Sequence, residues 1–223
     1  MENSKLTGRV YGLFLLSGFI CGVKGTFSRG LTDLDFQSSE SVFPQLLALK
    51  DQMNLAIRLD MLASAITLAA GLYIYHKIAT IHKSLSISFI AVISINFVVA
   101  LVSNLIHYAL LELANNPTPN VSNEIGFILF QSYYWLHFLI IFMYSVSGFI
   151  LYLIFVKGKL TYKWIAYWGM AASAIVMYGS MAQFLDFSVP FVLFMQNGVF
   201  VLTFIIYLLA VGFRDDVQNT ISQ

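Results

Sequence analysis

Six stretches of this chain contain no Lys, Arg, Asp or Glu, and they limit its fold more than any other feature. They cover residues 10–23, 61–76, 84–111, 125–156, 164–185 and 187–213. A hydrocarbon core about 30 Å thick is crossed by roughly 20 residues of helix. The last four stretches reach that length alone, and the first two reach it with their flanks. The expected fold is all-α, a polytopic membrane bundle of six transmembrane helices near residues 6–27, 54–75, 85–111, 131–156, 163–185 and 189–213. It forms a single integral membrane domain over 1–223, with an outer loop over 28–53.

Composition agrees with a lipid environment. Charged residues are 10% of the chain, against about 25% in soluble domains. A formal net charge of +1 supplies no basic patch or stripe for nucleic acid. The single cysteine, Cys21, leaves no intramolecular disulfide or cysteine-based metal cage and suits packing within the first helix. Lys5 and Arg9 precede the first apolar run as in an export signal. Small residues in an A-x-A arrangement are missing, however, and Ile20 is too bulky for a lipoprotein site before Cys21, so the segment reads as a retained helix.

Lys and Arg in short loops and at helix ends stay cytoplasmic. With six helices both termini share one side. That side holds eight basic residues (Lys5, Arg9, Lys77, Lys83, Lys157, Lys159, Lys163 and Arg214) and the other holds four (Lys24, Arg29, Lys50 and Arg58). Both termini are therefore expected in the cytoplasm. The outer side carries acids instead, among them Asp33, Asp35, Glu40 and Asp186.

Two segments depart from simple spans. Pro44 suits the first turn of a helix, and Leu46, Leu47, Leu49 and Met53 follow at near-helical spacing, so the second helix is expected to start near Pro44 and rise outside the bilayer. The alternative is a short separate helix lying in the interface. The run 125–156 would reach about 48 Å at roughly 1.5 Å per residue. It is expected to enter the membrane near Gln131, with Tyr133, Tyr134 and Trp135 in an aromatic belt. Asn120-Val121-Ser122 matches a glycosylation acceptor, a pattern mostly met by chance.

Helical spacing sorts the intramembrane polar residues onto faces. Asp60, Ser64, Thr67 and Gly71 align on the second helix; Asn96, Ala100, Ser103 and His107 on the third, with Asn104 beside them. Tyr134, His137, Ser145, Gly148 and Tyr152 share a side of the fourth, and Gln196, Phe200, Thr203 and Tyr207 a side of the sixth. Polar groups in lipid need partners, so these faces should point inward, and most of their small and hydroxyl residues suit interhelical packing. By depth, Arg58, Asp60, Asn104, His107, Gln131, Tyr134, His137 and Gln183 form a candidate ligand-binding pocket in the outer half. Arg58 lies about 200° around the helix from Asp60, so the two do not share a face; Arg58 is expected to snorkel to headgroups.

No cofactor is expected. The weaker alternative is a metal or haem at His107 and His137, for which no H-x-x-x-H spacing speaks. Ser103 and His107 resemble the Ser-x-x-x-His element of membrane amidohydrolases of the alkaline ceramidase and adiponectin receptor kind. That chemistry also needs a later His-x-x-x-His pair, and no histidine follows His137.

Three segments carry a wider resemblance: Gly8-Arg9-Val10-Tyr11-Gly12-Leu13, Ala56-Ile57-Arg58-Leu59-Asp60-Met61, and Ser147-Gly148-Phe149-Ile150-Leu151-Tyr152 before a short basic turn. With them the chain resembles, over nearly its whole length, a bacterial family of multi-helix membrane proteins known as domain of unknown function 4386. The resemblance implies a bacterial inner membrane and supplies no mechanism.

Lacking a catalytic constellation, the chain reads first as a non-enzymatic module that binds a lipid-like or small amphipathic ligand, or a membrane protein partner, in its outer half. A small carrier or channel is the second reading, and a haem or quinone redox protein the third. The lipid bilayer is the surrounding in each case.

Overall fold

A computed structural model of the chain describes residues 2–29, 42–116, 123–185, 187, 189, 190 and 192–214. The segments that hold Asp33, Asp35, Glu40, the Asn120-Val121-Ser122 acceptor and Asp186 lie outside the described residues. Seven helices follow in order: α1 (Glu2–Arg29), α2 (Val42–Ala48), α3 (Lys50–Ala79), α4 (Lys83–Asn115), α5 (Asn123–Gly158), α6 (Lys163–Phe184) and α7 (Val192–Ala210). Six of them, all but α2, are long and apolar enough to cross a membrane. Among the described residues there is no strand.

The six long helices form a ring in chain order. Each packs on the next, and α7 returns to α1, while the backbones of opposite helices do not approach one another. One end of the ring, here the lower end, carries the start of α1, the end of α7, and the turns at 80–82 and 159–162. That end is tightly closed. A Cβ on Gly8 would clash with the Phe213 backbone nitrogen. Gly212 holds φ +78 and would clash with the Lys5 backbone if it bore a side chain. Only glycine allows both the left-handed turn and the close approach. The Arg9 guanidinium donates to the Ala210 carbonyl at 3.3 Å, and the Lys77 ammonium donates to the Ser4 hydroxyl. The Arg214 N–H donates to the Leu160 carbonyl at 2.9 Å, and its guanidinium lies 4.5 Å from the centre of the Tyr162 ring.

Above this closure sits the larger apolar core, rich in rings. Phe155, Phe200, Phe204 and Phe213 are fully buried. Tyr152 stands edge-on to Phe200 and Phe204 at 5.1 and 5.6 Å, a favoured ring geometry. Phe213, just past α7, fits between Tyr11 and Phe155 at 6.0 and 5.5 Å and so floors the ring.

The upper half differs in two ways from the sequence-based expectation. The helix of the fourth span starts before Gln131: α5 is unbroken from Asn123 and has 36 residues, about 54 Å at roughly 1.5 Å per residue. By contrast α7 has 19 residues, about 28 Å on the same scale. The excess length of α3, α4 and α5 projects beyond α6 and α7 and is covered by protein. The covering element is α2, which is separate from α3, not its continuation. The chain bends at Leu49 (φ −108, ψ 8), with the Leu49 N–H donating to the Leu46 carbonyl at 3.2 Å. This bend seats Leu46, fully buried, in a second core with Met53, Ile57, Leu110, Leu111, Phe130 and Tyr133. Phe43 lies against Gly126 of α5. Instead of lying alone in the interface, α2 packs on α3, α4 and α5.

Candidate functional site

The eight residues expected in the outer pocket divide among several places. Arg58 is exposed on α3. Two residues on, Asp60 turns toward α1, where its Oδ1 lies 2.7 Å from the position of a Cβ on Gly25. Asn104 and His107 lie on the buried face of α4, and the Asn104 amide donates back to the Ala100 carbonyl at 2.9 Å. His107 is fully buried, its ring 4.4 Å from that of Tyr133. Tyr134 and His137, half-buried on α5, both meet Phe138, at 5.0 and 5.8 Å. Gln131 is half-buried near the top of α5. Gln183 is half-buried on α6, next to Phe184, which stacks on Trp135 of α5 at 5.3 Å.

Level explains part of this scatter. His107 follows the first residue of α4 by 24 positions, or about 36 Å of helix. That exceeds the length of α7, so His107 and Gln131 reach the projecting layer capped by α2, whereas Tyr134, next to the Trp135–Phe184 contact, is level with the end of α6. Among the described residues, no group of three His, Cys, Asp or Glu side chains is placed to hold a metal ion. Of the smaller donor set, the His107 ring meets Tyr133 and the His137 ring meets Phe138.

A cavity lies lower, inside the ring. It is lined from all six long helices: Tyr11 of α1, Thr67 of α3, Ile93 of α4, Tyr144 and Tyr152 of α5, Ser173 of α6 and Asn197 of α7. About 40 Å³ of it is open to water-sized spheres. One water needs roughly 10–15 Å³ on that measure, so there is space for about three. Every lining side chain is uncharged. Thr67, Ser145 and Ser147 donate their hydroxyls to carbonyls of their own helices, at 2.7 to 3.0 Å, and leave lone pairs to the interior. The Tyr11, Tyr144, Tyr152 and Ser173 hydroxyls and the Asn197 amide make no hydrogen bond to a described residue. Tyr11 and Ser173 are each 3% exposed and Tyr152 8%.

Above the cavity the ring is loosely filled. Over residues 13–24 of α1, 58–69 of α3, 134–144 of α5 and 192–199 of α7, no side chain is buried. Each segment makes two or three helical turns, and in a closed ring every turn presents one side to the centre. A packed centre would bury that side. These sides are therefore only partly covered at this level, which takes in Thr67, Tyr144 and Asn197 of the cavity, while α4 and α6 bury Asn96, Ala100, Ser103, Val176 and Ser180 there.

The polar faces read from spacing touch this site in places. Thr67, Ser145, Gly148 and Tyr152 line it. On α7 the face is displaced by one residue: Gln196 turns aside and donates to the Ala172 carbonyl of α6 at 3.2 Å, and Asn197 takes the inward position. Tyr11, Tyr144 and Ser173 were missed. A tyrosine deep within an apolar run is the signal that marks Tyr144, whereas Tyr11, two residues after Arg9, carries no such signal.

A family model described as a domain of unknown function (DUF4386) matches residues 10–212. No curated protein and no solved structure matches the chain.

Proposed function

Since the chain belongs to the DUF4386 family, whose description names no activity, we propose from geometry that it is a non-enzymatic membrane module binding a small amphipathic molecule inside its helical ring. The observation that carries this reading is the asymmetry of the interior. A cavity lined by all six long helices adjoins an upper level where α1, α3, α5 and α7 bury no side chain, and the lower end is closed by Phe213 and the Gly8 and Gly212 contacts. Such a concave, mostly apolar space with a few converging polar groups is the usual form of a ligand site. The excess of Lys and Arg at the lower end supports a cytoplasmic position for both termini, and the family resemblance supports a bacterial inner membrane. The ligand then arrives from the outer side or the outer leaflet. In this reading His107 serves the α2-capped core through its contact with Tyr133.

Mass analysis of small molecules retained by the purified protein tests it. Wild type should carry an amphipathic compound through gel filtration, and Thr67→Leu with Asn197→Leu, which make the lining apolar, should lose it. Equal retention by both proteins would remove the cavity from the function.

A one-sided closure also favours a second reading, a small carrier with its lower gate shut. Solute flux into proteoliposomes above that of empty vesicles distinguishes it from a binding module.

A further inference from the structure

We infer that the ligand's polar end is a neutral carbonyl, as in an ester or ketone lipid. This rests on the reading of the ring interior as a binding site. The cavity is rich in donors. Tyr11, Tyr144 and Tyr152 bring three phenols, Ser173 a hydroxyl and Asn197 an amide, and none of these bonds to a described residue. The remaining polar groups, Thr67, Ser145 and Ser147, have donated to their own helices. The polar atoms of the phenols, Ser173 and Asn197 border the cavity, and Tyr144 is itself 36% exposed, so what fills the cavity has to satisfy these donors, and a ligand that accepts hydrogen bonds does so.

Charge narrows the class. No Lys, Arg or His lines the cavity, and a carboxylate or phosphate placed there would lack the paired cation that a buried anion requires. No Asp or Glu lines it either, which disfavours an ammonium for the same reason. Size narrows it again. Room for about three waters admits about three heavy atoms, which a C(=O)–O or C–C(=O) group supplies. The rest of the molecule extends into the loosely filled level above. There half-buried apolar side chains such as Leu15, Phe138 and Phe194 offer a place for a hydrocarbon tail.

An ester lipid and a quinone share this chemistry, and probes separate them. Full-length protein in detergent is incubated with monoolein, decylquinone, oleate or oleylamine, then passed through gel filtration and analysed by mass. The expected result is retention of monoolein or decylquinone about tenfold above both charged probes, which corresponds to about one or two net hydrogen bonds. Infrared spectra with a ¹³C-labelled carbonyl should show the bound stretch below its value in detergent. In Tyr11→Phe/Tyr144→Phe/Tyr152→Phe, which keeps the ring shapes, retention should fall about tenfold on the same scale and the stretch should move back. If that variant melts well below wild type, the single Tyr11→Phe change in the infrared shift decides instead.

Preferred retention of oleate or oleylamine overturns the carbonyl class and leaves the binding reading intact. Retention unchanged by loss of the phenols, with an unshifted stretch, overturns the class as well. No retention of any probe overturns the binding reading itself.

Discussion

The ring of His107 on α4 lies 4.4 Å from the ring of Tyr133 on α5, in the layer closed from above by Leu46 of α2. This pair places a histidine in a core made by protein, at a level where α6 and α7 have already ended or nearly so. Leu46, Leu110, Phe130 and Tyr133 surround that level with buried apolar surface, so α2 acts as a cap on the three projecting helices.

Truncating that cap should be costly. Leu46 is fully buried, and Leu46→Ala is expected to destabilise by about 2 to 5 kcal/mol, the range for a buried leucine. Arg58→Ala, at an exposed position on the same side of the molecule, should stay within about 0.5 kcal/mol of wild type. Thermal unfolding in one detergent compares the two. Equal effects would show that α2 is not seated as described.

The lower closure depends on two glycines. Gly8→Ala brings a methyl group onto the Phe213 backbone, and Gly212→Ala forces a side chain onto φ +78 against Lys5. Backbone cannot swing aside as a flexible side chain can. Each change is expected to lower the melting temperature, with a loss of about 1 to 3 kcal/mol for strain and overpacking. Gly198→Ala is the control, because a Cβ there meets nothing within 4 Å.

How much of this was legible in the sequence depends on which residues are asked about. The charge-free runs read correctly as six long apolar helices, because burying charge in lipid is expensive. They did not mark where each helix leaves the membrane. Phe127, Leu129 and Phe130 are as apolar as a lipid-facing turn, yet they pack in the α2-capped core of the α5 extension. Apolar sequence answers equally to lipid and to a protein cap. The polar faces were legible as faces, since Thr67, Ser145, Gly148 and Tyr152 reached the cavity. Helical spacing fixes which residues align and leaves open the rotation of the helix against its neighbours. That is why Asp60 turned to Gly25 of α1 instead of joining His107, and why Asn197 took the place expected of Gln196.

Orientation follows from the basic residues at the lower end. A fluorescent reporter that matures only in the cytoplasm, fused after Gln223, should be bright. A phosphatase that folds only outside the cytoplasm should be inactive at that position and active within residues 30–41. The reverse pattern would move the loosely filled level to the cytoplasmic side and make the ligand a cytoplasmic one.

Phe213 separates a binding module from a carrier most directly. It is 1% exposed, wedged between Tyr11 and Phe155, and it follows the Gly212 turn, so its position depends on the lower closure and not on α7 alone. Removing its ring in Phe213→Ala should cost about 3 to 5 kcal/mol in stability and join the cavity above to the space below. In liposomes, wild type used only for binding should pass glycerol no faster than empty vesicles, while Phe213→Ala should leak. If wild type already passes solute in a saturable way and Phe213→Ala makes the passage non-saturable, the ring is a working gate and the carrier reading replaces the binding one. If neither protein passes solute, the lower core is closed by more than this ring, and Phe155 with Leu160 is the next layer to remove.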